Sequence, residues 1–385
     1  MMKSHITNRE DRILIGVVLI LILIGVLMVY SASSFRGAEQ FNDPTHYLKL
    51  HAIRVTIGLV FFYLFSKIDY HRFRLITPFV TVLFLVFLVI VLFGQSINGS
   101  HRSLQLMGNG FQPSEFMKII LIFYLAALFS KKDRVHLLEE SKLIYHYLFF
   151  LSIVGLVFIE PDMGTALILF FVGFSMFFLG GIQFKRLFKM GLMLLPIISI
   201  GMLIFPYQRQ RLADFLNSLF RSGPISYQVK QSIIGLAQGG FLGVGYGGGK
   251  QKLFFLPEPF SDFILANLGE ELGFVGIFFV FVLLIVVLWR GIRIAFLASD
   301  RYGYLMAGGI TVMILINALI NAGVVVHLLP TTGLPFPFIS YGGSSLLVHM
   351  VGVGVLLNIS RTPVVSYKDF TLERGQRKWW DEGRY

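Results

Sequence analysis

The 385-residue sequence has no cysteine. Disulfides, thiolate catalysis, cysteine-ligated zinc and iron–sulfur clusters are thereby excluded. Charge is scarce as well: 14% of residues are Asp, Glu, Lys or Arg, whereas 55% are hydrophobic and the mean hydropathy is +0.74. A soluble domain is about half apolar and about a quarter charged. This deficit, with repeated apolar runs long enough to cross a bilayer, predicts an all-α polytopic membrane protein. Neither a repeat of fixed period nor an inverted pair of halves is visible.

The net charge of +12 belongs to this topology rather than to nucleic acid. Ten apolar spans are expected, at 13–30, 52–66, 75–93, 113–130, 144–159, 164–181, 187–205, 264–290, 303–327 and 342–359. Of the 33 Lys and Arg residues, 22 fall in segments 1–12, 67–74, 131–143, 182–189, 290–301 and the tail from 360. The short loops between them hold Arg36, Lys49 and Arg102. That alternation is the positive-inside pattern of an even number of spans with both termini cytoplasmic. The expected organisation is a cytoplasmic N-terminus (1–12), one ten-helix membrane domain (13–359) and a cytoplasmic tail (360–385). The VYSAS sequence closing the first span resembles a peptidase site, but the apolar run before it exceeds a signal h-region, so a retained anchor is expected.

Segment 206–263, on the outer side, is the one long loop. It opens with PYQRQRLADFLN, spaced as an amphipathic helix lying on the membrane. Farther on, Gly243, Gly245 and Gly248 formally match a dinucleotide fingerprint, but no strand precedes them and the loop faces away from the cytoplasm. Glycines there are expected to permit a tight re-entrant path. In the tail, Trp379 and Trp380 beside Arg377 and Lys378 suit the membrane interface.

Charges within apolar spans are costly and are functional candidates by default. In FQPSEFMKIIL, Pro113 suits the first helical position, and Glu115 and Lys118 share one helix face. An internal ion pair is one reading; the other has Lys118 facing an anionic group from outside, held in register by Glu115. In FIEPDMGTALILF, Pro161 and Gly164 break the chain between two spans, leaving Glu160 and Asp162 at the outer end. Asp162 suits a helix cap, and the two carboxylates are also a candidate divalent-cation site. Segment 330–343, rich in Pro and Gly, cannot continue a helix, and irregular backbone at that depth must be buried in protein or line a wet cavity. Asn317, Asn321, Thr331, Thr332, Ser340 and Tyr341 supply neutral hydrogen-bonding groups there, and Ser340, Tyr341 and Gln112 are candidate cavity-lining residues. His327 and His349 have no neighbour at metal-ligand spacing and read as satisfied interior histidines. In PEPFSDFILANLGEELGFVG, Asp262 stands at the threshold of a span. Glu270 and Glu271 are expected to be structural, at a helix start where the dipole favours acids.

Arg102, Glu115, Lys118, Asp162, Asp262, Ser340 and Tyr341 thus converge on the outer leaflet. A cationic centre with nearby carboxylates suits an amphiphile with an anionic head, such as a lipid diphosphate. A transporter would move such a lipid and a transferase would cut it. The inner halves of the spans are mostly Leu, Ile, Val and Phe, which favours an outward-facing enzyme.

Over nearly its whole length the chain resembles the RodA/FtsW/SpoVE (SEDS) family of polytopic peptidoglycan glycosyltransferases. The resemblance runs from VYSAS through FQPSEFMK, EPDMGTAL, QSIIGLAQGG, the PEPFSDFI and NLGEELGF stretches, and LLPTTGLPFPFISYGGSSLL. The GGGKQKLFFLPEP approach and the LLVHMVGVGVLLNISR ending look more like the division branch, FtsW, and its sporulation relative than the elongation branch, RodA.

The resemblance implies polymerisation of lipid II into glycan strands at the outer face of the bacterial inner membrane, for septal wall synthesis or for elongation. It implies that Asp262 is the acid/base residue and carries the motif positions Glu115, Lys118 and Asp162 over to this chain; from the residues themselves, Lys118, Arg102 and Glu115 are expected to serve the diphosphate, and Asp162 and Glu160 to border the cavity or a metal. A divalent cation, Mg2+ or Mn2+, is the cofactor it allows, with no organic cofactor. Its partners would be lipid II, a class B penicillin-binding protein and other divisome or elongasome membrane proteins. A lipid II flippase and a non-catalytic scaffold for the transpeptidase are the alternative functions. The sequence departs from the family in four places: Phe260-Ser261 where His-Thr is usual, no Trp in Gly99–Ser103, Gly110 in place of a basic residue, and Glu160 in place of Gln. These changes alter the charge balance around the diphosphate while keeping the Asp262 position.

Overall fold

The computed structural model describes residues 11–93, 104–106, 109–131, 140–192, 206–220, 223, 225–253, 255–256 and 259–361. Arg102, the predicted seventh span beyond Leu192, and most of both termini lie outside them. The helices are α1 (Arg12–Phe41), α2 (His46–Lys67), α3 (Phe73–Leu92), α4 (Pro113–Phe129), α5 (Glu140–Ile159), α6 (Met163–Leu179), α7 (Phe184–Leu192), α8 (Pro206–Phe220), α9 (Tyr227–Gly239), α10 (Ile264–Phe296), α11 (Arg301–Val325) and α12 (Gly343–Arg361). A two-stranded antiparallel hairpin, β1 (Leu104–Leu106) and β2 (Asn109–Phe111), precedes α4.

Among the described residues, α1, α2, α3 with its leading turn, α10, α11 and α12 are long and apolar enough to cross a membrane, and α5 and α6 are shorter apolar helices. α1 extends past its apolar run to Phe41, where Asn42 turns the chain in a left-handed conformation with φ 53°. In that turn the Lys49 ammonium and the Thr45 hydroxyl and amide hold the Asp43 carboxyl far below the usual carboxylate range.

The centre of the bundle is α11 and α12, whose apolar windows are 67% and 78% buried, against 17% for α2. α2 and α3 turn apolar side chains outward, Leu75 and Phe79 among them, as helices facing lipid do. Between α11 and α12 the irregular segment dives into the bundle, burying Leu334, Phe336, Phe338 and Ile339. It passes so close to α1 and α6 that a Cβ on Gly25 would lie 2.8 Å from the Ile339 backbone, and one on Gly164 2.6 Å from Leu334. Its irregular backbone is therefore buried in protein, one of the two conditions such a backbone requires.

α10 is broken at Gly273, with φ 67° and ψ −165°. Glu270 and Glu271 therefore sit at the end of a short first segment of α10, not at the start of the long span that the sequence predicts. The glycine-rich loop hooks into the break: the amides of Val244 and Gly245 donate to the carbonyls of Glu270 and Glu271 at 3.0 Å each, and the Phe274 amide donates to Gly240 at 2.9 Å. The Glu270 carboxylate accepts from the Lys250 amide at 2.6 Å. Glu271 accepts from the Gly247 amide at 2.9 Å, the Ser31 hydroxyl at 2.6 Å and the Lys252 ammonium at 2.6 Å. Both acids are structural, and these bonds from the loop account for their burial better than a helix dipole does.

Candidate active site

Asp262 lies in the three-residue approach to α10. Its carboxylate accepts from the Ser261 hydroxyl at 2.9 Å, which fixes its rotation, and the side chain is partly exposed. The other acids that the sequence motifs single out, Glu115, Glu160, Asp162, Glu270 and Glu271, are all buried. Asp262 is the member of that set that solvent, and hence a substrate, reaches.

The backbone around it is pinned by the irregular segment and α11. The Tyr341 amide donates to the Phe260 carbonyl at 2.9 Å, the Ser340 hydroxyl to the Ser261 carbonyl at 2.7 Å, and the Asn321 side-chain amide to the Asp262 carbonyl at 2.8 Å. Ser340 is buried, and its hydroxyl also accepts the Phe336 amide at 2.8 Å. It therefore holds the chain together more than it lines a cavity. Tyr341 is half-buried, with its ring against Phe260 and beneath the Arg54 guanidinium.

An aromatic wall stands beside this loop. Phe260 packs against Tyr341 at 5.3 Å between ring centroids and against Tyr47 at 4.8 Å. Two half-exposed cations rest on it: the Arg54 guanidinium lies 4.3 Å from the Tyr341 ring centre, and Arg36 lies 5.7 Å from that of Phe260. A recess of about 140 Å³ opens alongside, between Arg36 and Glu39 at the end of α1 and Lys252, Leu256 and Pro259 of the outer loop. Sequence reasoning missed Arg54 and Tyr47, and it treated Arg36 only as a loop charge. The available signal for Arg54 was a charge inside the expected span 52–66, and for Arg36 an arginine next to Phe35 in a segment with few charges.

The other predicted residues form two further groups. Asp162 caps α6, accepting the Thr165 amide at 3.1 Å, and it accepts from the Gln112 side-chain amide at 2.6 Å. The Gln112 backbone amide donates to the Ser344 hydroxyl at 3.2 Å, which ties this group to the start of α12. Both Asp162 oxygens are thus engaged. Among the described residues no three His, Asp or Glu side chains form a metal-binding group. The residues present do not make a protein-only cation cage at Glu160 and Asp162, and no step below runs through a metal.

Glu115 and Lys118 meet across one turn of α4, 2.6 Å apart, with side chains 3% and 0% exposed. The ammonium is sealed among helices, so an entering anion does not reach it in this conformation. His349 on α12 is also buried; one ring nitrogen meets the Ser345 carbonyl at 2.7 Å, while Nε2 has no hydrogen-bond partner among the described residues. His327 meets the Ser218 hydroxyl of α8 at 2.8 Å.

A second, wholly apolar cavity of about 440 Å³ lies between α2, α3, α4 and α12, from Phe73 at the start of α3 to Phe111 in the β-hairpin. Ile119 and Val348, chain neighbours of Lys118 and His349, form part of its wall.

The family model described as a cell cycle protein, FtsW/RodA/SpoVE, matches residues 11–364. The chain is 40% identical over 354 residues to the probable peptidoglycan glycosyltransferase FtsW of Trichlorobacter lovleyi, covering 91% of this chain and 93% of that protein. It is 37% identical to stage V sporulation protein E of Bacillus subtilis, covering 91% and 97%. Among solved structures it resembles a chain from a peptidoglycan synthase complex that coordinates polymerisation and crosslinking, with TM-score 0.74 and 25% identity over 91% of this chain and 98% of that one. The rod shape determining protein RodA of Thermus thermophilus matches with TM-score 0.65 and 24% identity over 91% and 97%, a likeness of fold.

Proposed function

The chain belongs to the FtsW/RodA/SpoVE family, and from that premise we propose that it polymerises lipid II into glycan strands with Asp262 as general base. The observation that carries this reading is the partly exposed Asp262 carboxylate on a pinned backbone, in a loop whose Phe260 packs into an aromatic wall that carries two partly exposed arginines. The carboxylate takes the proton from the 4-hydroxyl of the acceptor N-acetylglucosamine. That oxygen forms a bond to the anomeric carbon of the donor N-acetylmuramic acid, and the bond from that carbon to the diphosphate oxygen breaks. Undecaprenyl diphosphate leaves, with inversion in one displacement. General-base assistance of this kind contributes about 10²–10⁴ in rate.

Arg36 and Arg54 are the cations best placed to receive a diphosphate. Planar guanidiniums suit it better than a point charge does, and fixed charge at the developing anion is the electrostatic part of catalysis. Lys118, sealed against Glu115 in this conformation, would add charge only after a rearrangement that frees it. The apolar cavity suits a polyprenyl tail, since it is lined without polar groups and runs along the helices. Similarity to proteins called FtsW supports septal wall synthesis in the cytoplasmic membrane, with a class B penicillin-binding protein as the crosslinking partner.

The reading is tested by incubating the purified protein, with its transpeptidase partner, with lipid II in detergent and resolving products by gel. Glycan strands are expected. Lipid translocation in liposomes with no glycan product would instead make it a flippase, and growth supported by an Asp262→Asn protein would make it a scaffold.

A further inference from the structure

The approach to α10 is a stretch of irregular backbone at the outer membrane edge, and its carbonyls have no regular partner of their own. Buried carbonyls in such a stretch must be satisfied from elsewhere. Here three successive ones, of Phe260, Ser261 and Asp262, are met by the Tyr341 amide, the Ser340 hydroxyl and the Asn321 side-chain amide. None of these donors belongs to the loop, and they come from 59 to 81 residues farther along the chain.

The donors are themselves braced. The Asn321 amide also donates to the Leu334 carbonyl at 2.6 Å, and Asn317, one turn earlier on α11, donates to the Pro335 carbonyl at 3.0 Å. Ser340 accepts the Phe336 amide at 2.8 Å while donating to Ser261. All three side chains are at most 3% exposed. α11 thus holds the proline-rich segment, and the two together hold the loop that carries the carboxylate.

We propose that Asn321 and Ser340 are positioning residues for Asp262, a clamp on the backbone that fixes the height and direction of the carboxylate at the membrane edge. The proposal rests on Asp262 being the base. A general base works only within hydrogen-bond reach of its proton, and a misplacement of about 1 Å can cost about 10²-fold in rate. Neither side chain touches substrate in this account, so their loss acts on turnover and leaves substrate binding intact.

The test compares Ser340→Ala, Ser340→Thr and Asn321→Leu in the full-length protein with lipid II, measuring kcat and KM separately, lipid II binding, and thermal unfolding in detergent. Ser340→Ala and Asn321→Leu are expected to lower kcat 10- to 100-fold with KM and binding within twofold of wild type. Ser340→Thr, which keeps the hydroxyl, is expected to recover most of the rate. If Asn321→Leu does not fold, the Ser340 pair decides alone. Wild-type kcat in Ser340→Ala, a loss carried in KM, or failure of Thr to rescue a well-folded protein would overturn the clamp. An inactive Asp262→Asn beside a fully active Ser340→Ala would sink the clamp alone, whereas an active Asp262→Asn would sink the functional reading beneath it.

Discussion

Removing one partner of the Glu115–Lys118 pair probes both the packing of the bundle and the use made of that charge. The contact is 2.6 Å, with side chains 3% and 0% exposed. At that separation and an effective dielectric of about 20 the gross attraction is about 6 kcal/mol, against which each ion has lost its hydration. The net value of such a pair is small, but an ion left alone is not: breaking a buried pair costs about 3–5 kcal/mol, and replacing both members by neutral groups of similar volume is often close to neutral. Glu115→Gln and Lys118→Met should therefore each destabilise the protein by about 3–5 kcal/mol in detergent unfolding, and the double variant by far less than their sum. The polymerase assay separates structure from chemistry. The double variant should regain stability; loss of glycan synthesis in it is the outcome expected if a diphosphate draws the ammonium from Glu115 during turnover. Single variants losing less than about 1 kcal/mol, or additive losses in the double, would refute the electrostatic argument. A stable double variant with wild-type polymerisation would reduce the pair to a structural element.

Glu271→Leu leaves the buried Lys252 ammonium without its counter-ion and removes acceptors from Ser31 and Gly247, so trypsin should cut after Lys250 or Lys252 much faster than in wild type. Unchanged proteolysis would mean that the loop is held by its backbone bonds alone. Gly273→Ala forces a side chain into φ 67° with its Cβ 2.3 Å from the Gly243 nitrogen, and should cost at least about 1–3 kcal/mol. Gly16→Ala, with nothing within 4 Å, should stay within about 0.5 kcal/mol, and equal effects at the two positions would discount the interlock.

Six of the ten expected spans are, among the described residues, helices long and apolar enough to cross a membrane, and they were legible because hydropathy reports the bilayer. Their ends were less so: α1 continues to Phe41 because YSASSFRGAEQF is helix-compatible, and a helix can project beyond the apolar slab. The Glu115–Lys118 contact was readable, since i and i+3 on a helix meet whatever surrounds them. The break at Gly273 was not, because one glycine in an apolar run leaves the periodicity intact, and what opens the helix there is a loop 30 residues earlier. The same limit applies at the site. Asp262 stood out as an isolated acid, but the clamp from Asn321 and Ser340 and the arginines on the aromatic wall are contacts between distant stretches, and local spacing does not encode them.

One carboxylate, that of Asp262, is proposed to do the proton transfer. Asp262→Asn keeps the size of the side chain and removes the base, and the decisive measurement is the initial rate of lipid II polymerisation by the purified variant alongside its unfolding curve. A normally folded protein whose rate falls by at least about 10²-fold is expected. A folded Asp262→Asn protein that polymerises lipid II at the wild-type rate would contradict that role for Asp262.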